Sequence, residues 1–109
     1  MYVRQLTYSI DLDQGETFTM VQQHLASLYR RYGLVRFLLL ADPEAPERIT
    51  EFQVFYDEDA WRDAFAGIKE DPFYPNLTET LDTVTGGTRR DDQSRVHSLI
   101  LDVGGAARG

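Results

Sequence analysis

The chain contains no cysteine. Disulfides, thiolate metal sites and a cysteine nucleophile are therefore all excluded. Histidine is almost as scarce, with His24 and His97 far apart and no spaced pair to start a metal site. Basic residues are outnumbered, 11 Lys and Arg against 18 Asp and Glu, for a net charge of −7. Nucleic acid and anionic membrane surfaces are poor partners for such a chain, because clustered cations are needed to meet phosphate. Arg30, Arg31, Arg89 and Arg90 are scattered among acids. Long apolar runs are also missing. The longest, Phe37–Ala41, is strand-sized and falls far short of the ~18 residues of a membrane span. No charged-then-apolar leader opens the sequence, so the expected compartment is the cytoplasm.

The 109 residues suit one domain. A domain of this size buries little more than ~60% of its unfolded surface, so a partner subunit would help its modest core. Residues 2–12 alternate, with Tyr2, Leu6, Tyr8, Ile10 and Leu12 on one face and Val3, Gln5, Thr7, Ser9 and Asp11 on the other. In residues 16–32 the apolar positions Phe18, Val21, Leu25, Leu28, Tyr29 and Tyr32 step by three and four, a helical stripe. His24 lies beside that stripe as a boundary residue. Arg30 and Arg31 suit the C-terminal dipole, and Gly33 suits the left-handed residue that ends the helix. Residues 34–41 form a strand apolar on both faces except at Arg36.

A turn at 42–47, with two prolines, leads into a strand over 49–56 and so predicts a hairpin. Thr50, Phe52, Val54 and Tyr56 alternate there with Ile49, Glu51, Gln53 and Phe55. Asp57 or Asp59 caps the next helix, whose inner stripe is Trp61, Ala64, Phe65 and Ile68. Asp71-Pro72 breaks it. A second helical piece at about 76–84 carries Leu77, Leu81 and Val84. An apolar-free loop at 85–94 and a last strand at 95–103 follow. Residues 1–103 thus make the expected domain, and 104–109 a flexible tail.

The order βαβ–βαβ predicts a ferredoxin-like α+β fold, a four-stranded antiparallel sheet with both helical segments on one face. With Leu6, Tyr8 and Ile10 under the helices, Gln5, Thr7 and Ser9 face the other way. That bare face is apolar in strands two and four and should not stay in water. Two sheets meeting face to face would cover it and enclose a partly polar cavity, which predicts a homodimer.

Three stretches carry a family resemblance: the opening YVRQLTYSI, the Tyr32-Gly33 helix end, and FQVFYDEDAWRDAFAGIKEDPFY with its acidic helix start and Asp71-Pro72-Phe73. Together they resemble the dimeric α+β barrel superfamily, and within it the NIPSNAP and antibiotic-biosynthesis-monooxygenase groups. The resemblance implies a homodimeric barrel with a pocket in each subunit. The activities in the superfamily include cofactor-free oxygenation of aromatic polyketides, haem degradation and small-molecule isomerisation, and some members have no known activity. The haem-degrading branch is similar in having an Asn on strand one, a Trp ending strand three and a His on the second helix. Here Gln5 or Ser9 and Phe55 or Tyr56 stand in the first two places, and no His lies between residues 25 and 96. Haem, and any other cofactor or metal, is therefore not expected.

Cofactor-free oxygenation needs a pocket that orients an electron-rich phenol and a polar group that helps deprotonate it. The expected pocket residues are Gln5, Thr7, Tyr8, Gln53, Phe55, Tyr56, Trp61, Phe73 and Tyr74, around a small aromatic or carboxylic ligand. His97 and Arg36 are the expected catalytic groups, one for its near-neutral titration and one as a lone charge in an apolar strand. Core packing, a hydrogen-bonded core histidine and an Arg36–Glu51 pair across the hairpin are the plainer alternatives. An enzyme predicts that Gln5, Arg36, Gln53 and His97 converge on one cavity. A non-catalytic dimeric binding protein predicts that aromatics fill the space.

Overall fold

A computed structural model describes residues 1–103. The expected tail at 104–109 lies outside the described residues. Strand β1 (Tyr2–Ser9) leads through a 3-10 turn at Leu12–Gln14 into helix α1 (Gly15–Arg31), then β2 (Arg36–Asp42) and β3 (Ala45–Phe55). Helices α2 (Glu58–Glu70) and α3 (Tyr74–Val84) follow, then a 3-10 turn at Asp91–Gln93 and β4 (Arg95–Ser98). The sheet is antiparallel, in the order β2-β3-β1-β4. This is the predicted ferredoxin-like arrangement, with the second helical segment resolved into α2 and α3.

The register assigns every side chain to a face. Tyr2, Arg4, Leu6 and Tyr8 of β1 share a side with Ile49, Glu51, Gln53 and Phe55 of β3, and with Phe37 and Leu39 of β2. That side packs on the helices, where Phe18, Val21, Leu25, Leu28, Tyr29, Ala64, Ile68, Leu81 and Val84 complete the core. The other face is open: Arg36, Leu38 and Leu40 of β2, Arg48, Thr50, Phe52 and Val54 of β3, Val3, Gln5, Thr7 and Ser9 of β1, Arg95 and His97 of β4.

The helix ends follow local chemistry. Asp57, and not Asp59, caps α2, its carboxylate accepting from the Ala60 N–H at 2.7 Å. Gly33, at φ 117°, ends α1 as expected; the Leu34 N–H reaches back to the Tyr29 carbonyl at 3.0 Å. Asp71 spans the break between α2 and α3, accepting from the Phe73 N–H at 3.0 Å and the Tyr32 hydroxyl at 2.9 Å.

Several expected boundaries move, and β2 opens at Arg36 rather than at 34. β1 stops at Ser9, so Leu12 sits in the 3-10 turn, exposed rather than inward. β3 begins at Ala45; Pro46 falls beside the ladder irregularity at Ala41/Asp42, where its missing donor is not needed. α3 begins at Tyr74 because Pro75 occupies its first turn, where proline is tolerated. β4 ends at Ser98 and not at 103, since β1 begins at Tyr2 and leaves no ladder partner beyond the Leu99 N–H, which bonds the Met1 carbonyl. Among the described residues no helix is long and apolar enough to cross a membrane.

Candidate functional site

The inward face of the sheet holds charge. Glu51, with no exposed surface, is the acceptor at the centre of a network. Its Oε1 accepts from the Tyr8 hydroxyl at 2.7 Å, Gln22 Nε2 at 3.0 Å and Arg89 Nε at 3.1 Å; its Oε2 accepts from Gln53 Nε2 at 2.6 Å and Arg89 Nη2 at 2.8 Å. Gln22 Nε2 also donates to the Tyr8 oxygen at 2.8 Å. Burial pushes the Glu51 carboxyl up, but the Arg89 guanidinium and the hydrogen bonds outweigh it and hold the group below its ordinary value. Burial and the Glu51 charge push the Tyr8 hydroxyl far up, so it stays neutral, donating to Glu51 while it accepts from Gln22. Burial lowers the Arg89 pKa, but the Glu51 carboxylate more than reverses this and holds Arg89 as a cation.

Arg4 extends the network. Its Nη1 donates to Gln53 Oε1 at 3.1 Å, and its Nη2 to the Asp91 carbonyl at 3.2 Å and Ser94 Oγ at 3.1 Å. Its guanidinium lies over Trp61 at 4.8 Å and Phe65 at 5.2 Å. Burial lowers the Arg4 pKa, but an arginine starts so high that it stays charged. Trp61 also stacks on Tyr2 at 5.5 Å, and its indole N–H is buried with no partner.

Two cavities open onto this network. One, of about 520 Å³, lies among Arg4, Trp61, Phe65, Tyr74, Asp91 and Ser94, with Arg62 and Lys69 also lining it. The second, of about 450 Å³, runs between α3 and the loop after it and includes Tyr74, Thr78, Arg89 and Asp91. Tyr74 and Asp91 line both. The combination of a buried cation, aromatic walls and a carboxylate equips the first cavity to hold a planar aromatic with an acidic hydroxyl.

The residues expected at the site divide into several places. Trp61 and Tyr74 line the sheet–helix cavity, and Tyr8 and Gln53 belong to the network behind it. Phe55 is core, without exposed surface, because its inward position meets Phe65. Tyr56 is exposed just past the end of β3. Phe73 borders a separate apolar groove with His24, Leu28 and Leu77. Gln5, Thr7, His97 and Arg36 are on the open face. His97 Nε2 meets Gln5 Oε1 at 2.8 Å, and Arg36 bonds Asp102 at 3.4 Å.

The expected convergence of Gln5, Arg36, Gln53 and His97 therefore does not form, since the sheet itself separates Gln53 from the other three. Nor does Arg36 pair with Glu51: the two point to opposite faces, and Arg89 takes that place. Arg4, Gln22, Glu51, Arg89 and Asp91 were not expected at the site. The signal available was period two, which puts Arg4 and Glu51 inward beside Leu6 and Phe55. Among the described residues no three metal-binding side chains cluster.

No family model and no curated protein matches the sequence. Solved structures do match the fold. A candidate antibiotic biosynthesis monooxygenase from Nitrosomonas europaea superposes with a TM-score of 0.72 at 18% identity, over 94% of this chain and 93% of the other. SnoaB, a cofactor-independent oxygenase from Streptomyces nogalater, gives 0.70 at 18% identity over 94% and 95%. A candidate antibiotic biosynthesis monooxygenase from Chloroflexus aurantiacus gives 0.71 at 13% identity over 94% and 96%. The expected resemblance thus holds at the level of fold: this chain has the ferredoxin-like α+β architecture of these antibiotic biosynthesis monooxygenase and oxygenase structures.

Proposed function

We propose that the chain is a cofactor-independent monooxygenase-like enzyme that binds an electron-rich aromatic in the cavity of Arg4, Trp61, Phe65 and Tyr74. The observation that carries this reading is the buried Arg4 guanidinium laid against Trp61, beside an indole N–H without a partner. Asp91, at the cavity wall and partly exposed, takes the phenolic proton, and Arg4 stabilises the phenolate that remains. The activated ring reduces dioxygen directly. A ring CH2 becomes C=O, one oxygen atom enters the product, and the other leaves as water with the two hydrogens. His97 and Arg36 take no part in the chemistry on this reading.

The test is oxygen uptake with dithranol, a hydroxylated anthrone, measured above its rate in buffer. One dioxygen is consumed per dithranol, and Arg4→Gln slows turnover by roughly a hundredfold while His97→Ala leaves it unchanged. No enzyme-dependent uptake, or equal rates for Arg4→Gln and the parent, would sink the proposal.

A second reading, a non-catalytic NIPSNAP-like binding protein, is favoured by the complete pairing of Glu51, which makes the largest charge cluster structural. It predicts dithranol binding without uptake. Either reading uses a homodimer built through the open face. Leu38, Leu40, Val35 and Leu99 are exposed there, and a cavity of about 370 Å³ lies among Val3, Arg36, Leu38, Phe52 and Val54.

A further inference from the structure

The open face has a second character, basic in an acidic protein. At its regularly paired positions, short of the irregularity at Ala41/Asp42, it carries Arg36, Arg48 and Arg95 and no carboxylate: Glu47 and Glu51 alternate onto the helix side of β3, and Asp42 lies past that irregularity on the edge strand farthest from β4. The half toward β2 is apolar, with Leu38, Leu40, Phe52 and Val54. The half toward β4 is polar and ends in a cavity of about 360 Å³ lined by Gln5, Thr7, Arg90, Gln93 and Arg95.

These five side chains are matched as donors. Among the described residues, Arg90 and Arg95 have no ion-pair partner, and the Thr7 hydroxyl and Gln93 amide have no hydrogen bond. The adjacent acids turn away: Asp91 and Asp92 line the sheet–helix cavity on the other side of the chain. Gln5 is oriented from outside the cavity. His97 Nε2 meets its Oε1 at 2.8 Å, so the ring donates and the Gln5 carbonyl is occupied. The Gln5 NH2, a pure donor, is left for the cavity. Two guanidinium groups, two amides and a hydroxyl around one space match the oxygens of a carboxylate or phosphate.

We propose that this cavity is an oxyanion site that takes a small molecule carrying a carboxylate or phosphate, with His97 as a positioning residue for Gln5. The space is several times larger than one phosphate group needs, which leaves room for a compact organic body. A second copy docked sheet to sheet is a poor source of the anion. Its regularly paired strand positions are the same carboxylate-free ones, and Asp102, an acid beside that face, is already paired with Arg36. Burying Arg90 and Arg95 inside a barrel also demands a counter-anion, so assembly would strengthen the site rather than abolish it.

The site lies across the sheet from the aromatic cavity, so its failure and that of the proposed oxygenase chemistry are separable. The experiment is calorimetric titration of the full chain with inorganic phosphate and with citrate at constant ionic strength, alongside amide shift mapping by NMR. The expected result is saturable binding of at least one probe, with shifts centred on Gln5, Thr7, Gln93 and Arg95. Arg90→Gln/Arg95→Gln should weaken it by roughly tenfold or more, while Arg36→Gln, on the same face, should not. His97→Ala should weaken binding less than the double arginine change, and His97→Gln, which can still donate to Gln5, should restore it. Absence of saturable binding overturns the proposal, as does equal weakening by Arg36→Gln, which would mark general charge attraction. It also falls if the double arginine variant binds as the parent does but no longer dimerises, since the arginines would then be contacts between copies.

Discussion

Arg89 and Glu51 are the pair on which the interior most depends. Their side chains are 8% and 0% exposed, and five donors converge on one carboxylate. Removing the cation alone strands a buried charge, so Arg89→Met should cost about 3–5 kcal/mol, a large part of a small domain's stability. Replacing both partners, Arg89→Met with Glu51→Leu, should cost clearly less than Arg89→Met alone, because no charge is left to solvate. Urea unfolding of the two variants checks this, and equal losses would refute it. The pH dependence follows from the same groups. Glu51 has a folded pKa below its unfolded value of 4.5, so its contribution is complete above that pH and is lost as pH falls further. Tyr8 and Tyr29 have folded values raised above 10.0 by burial, so stability that is complete below pH 10 is lost as pH rises past it. A thermal-unfolding series should show a plateau between these limits.

Gly67 decides how α1 and α2 meet. A Cβ there would stand 2.6 Å from Tyr32 Cδ1 and Cε1, and the Tyr32 ring is tethered through its hydroxyl to Asp71. Alanine improves helix propensity by about 1 kcal/mol, but a forced ring displacement costs about 1–3 kcal/mol. Gly67→Ala should therefore destabilise, whereas in a Tyr32→Ala background the same change should stabilise. A double-mutant cycle with no sign reversal would contradict the account. Asp57→Ala removes the cap of α2 and should cost about 1 kcal/mol by the same unfolding measurement.

At this scale most of the structure was legible in the sequence. Period two marked β1 and β3, an apolar run marked β2, steps of three and four marked the helices, and Gly33 and the choice of Asp57 or Asp59 marked ends. What escaped was side-chain destination. Arg4 sits in phase with Leu6 and Tyr8, yet a charge at an inward position reads as a break in the pattern rather than as part of it. Its partners explain it: Gln53 is 49 residues away, and Ser94 90. Such a network exists only after β1, β3 and the loop before β4 are brought together. The same limit applies to His97 and Arg36, whose chemistry was readable but whose face of the sheet depends on register.

For the whole molecule, the open face is the main question. The apolar half around Leu38 and Leu40 was legible as a surface in need of cover, because β2 is apolar on both sides. The basic, carboxylate-free half was not, since Arg90 and Gln93 reach it from a loop. Leu38→Asp with Leu40→Asp should convert a dimer to a folded monomer in light scattering. A parent protein that is monomeric at micromolar concentration would contradict the proposed assembly.

The proposed function turns on the sheet–helix cavity, which contains the only tryptophan in the chain. Trp61 emission therefore reports on that cavity. Titration with dithranol should quench it saturably, and Phe65→Ala or Tyr74→Ala should weaken the midpoint by roughly tenfold. Unchanged Trp61 emission across the titration, with the protein folded, would contradict the proposal that an aromatic ligand binds between the sheet and the helices.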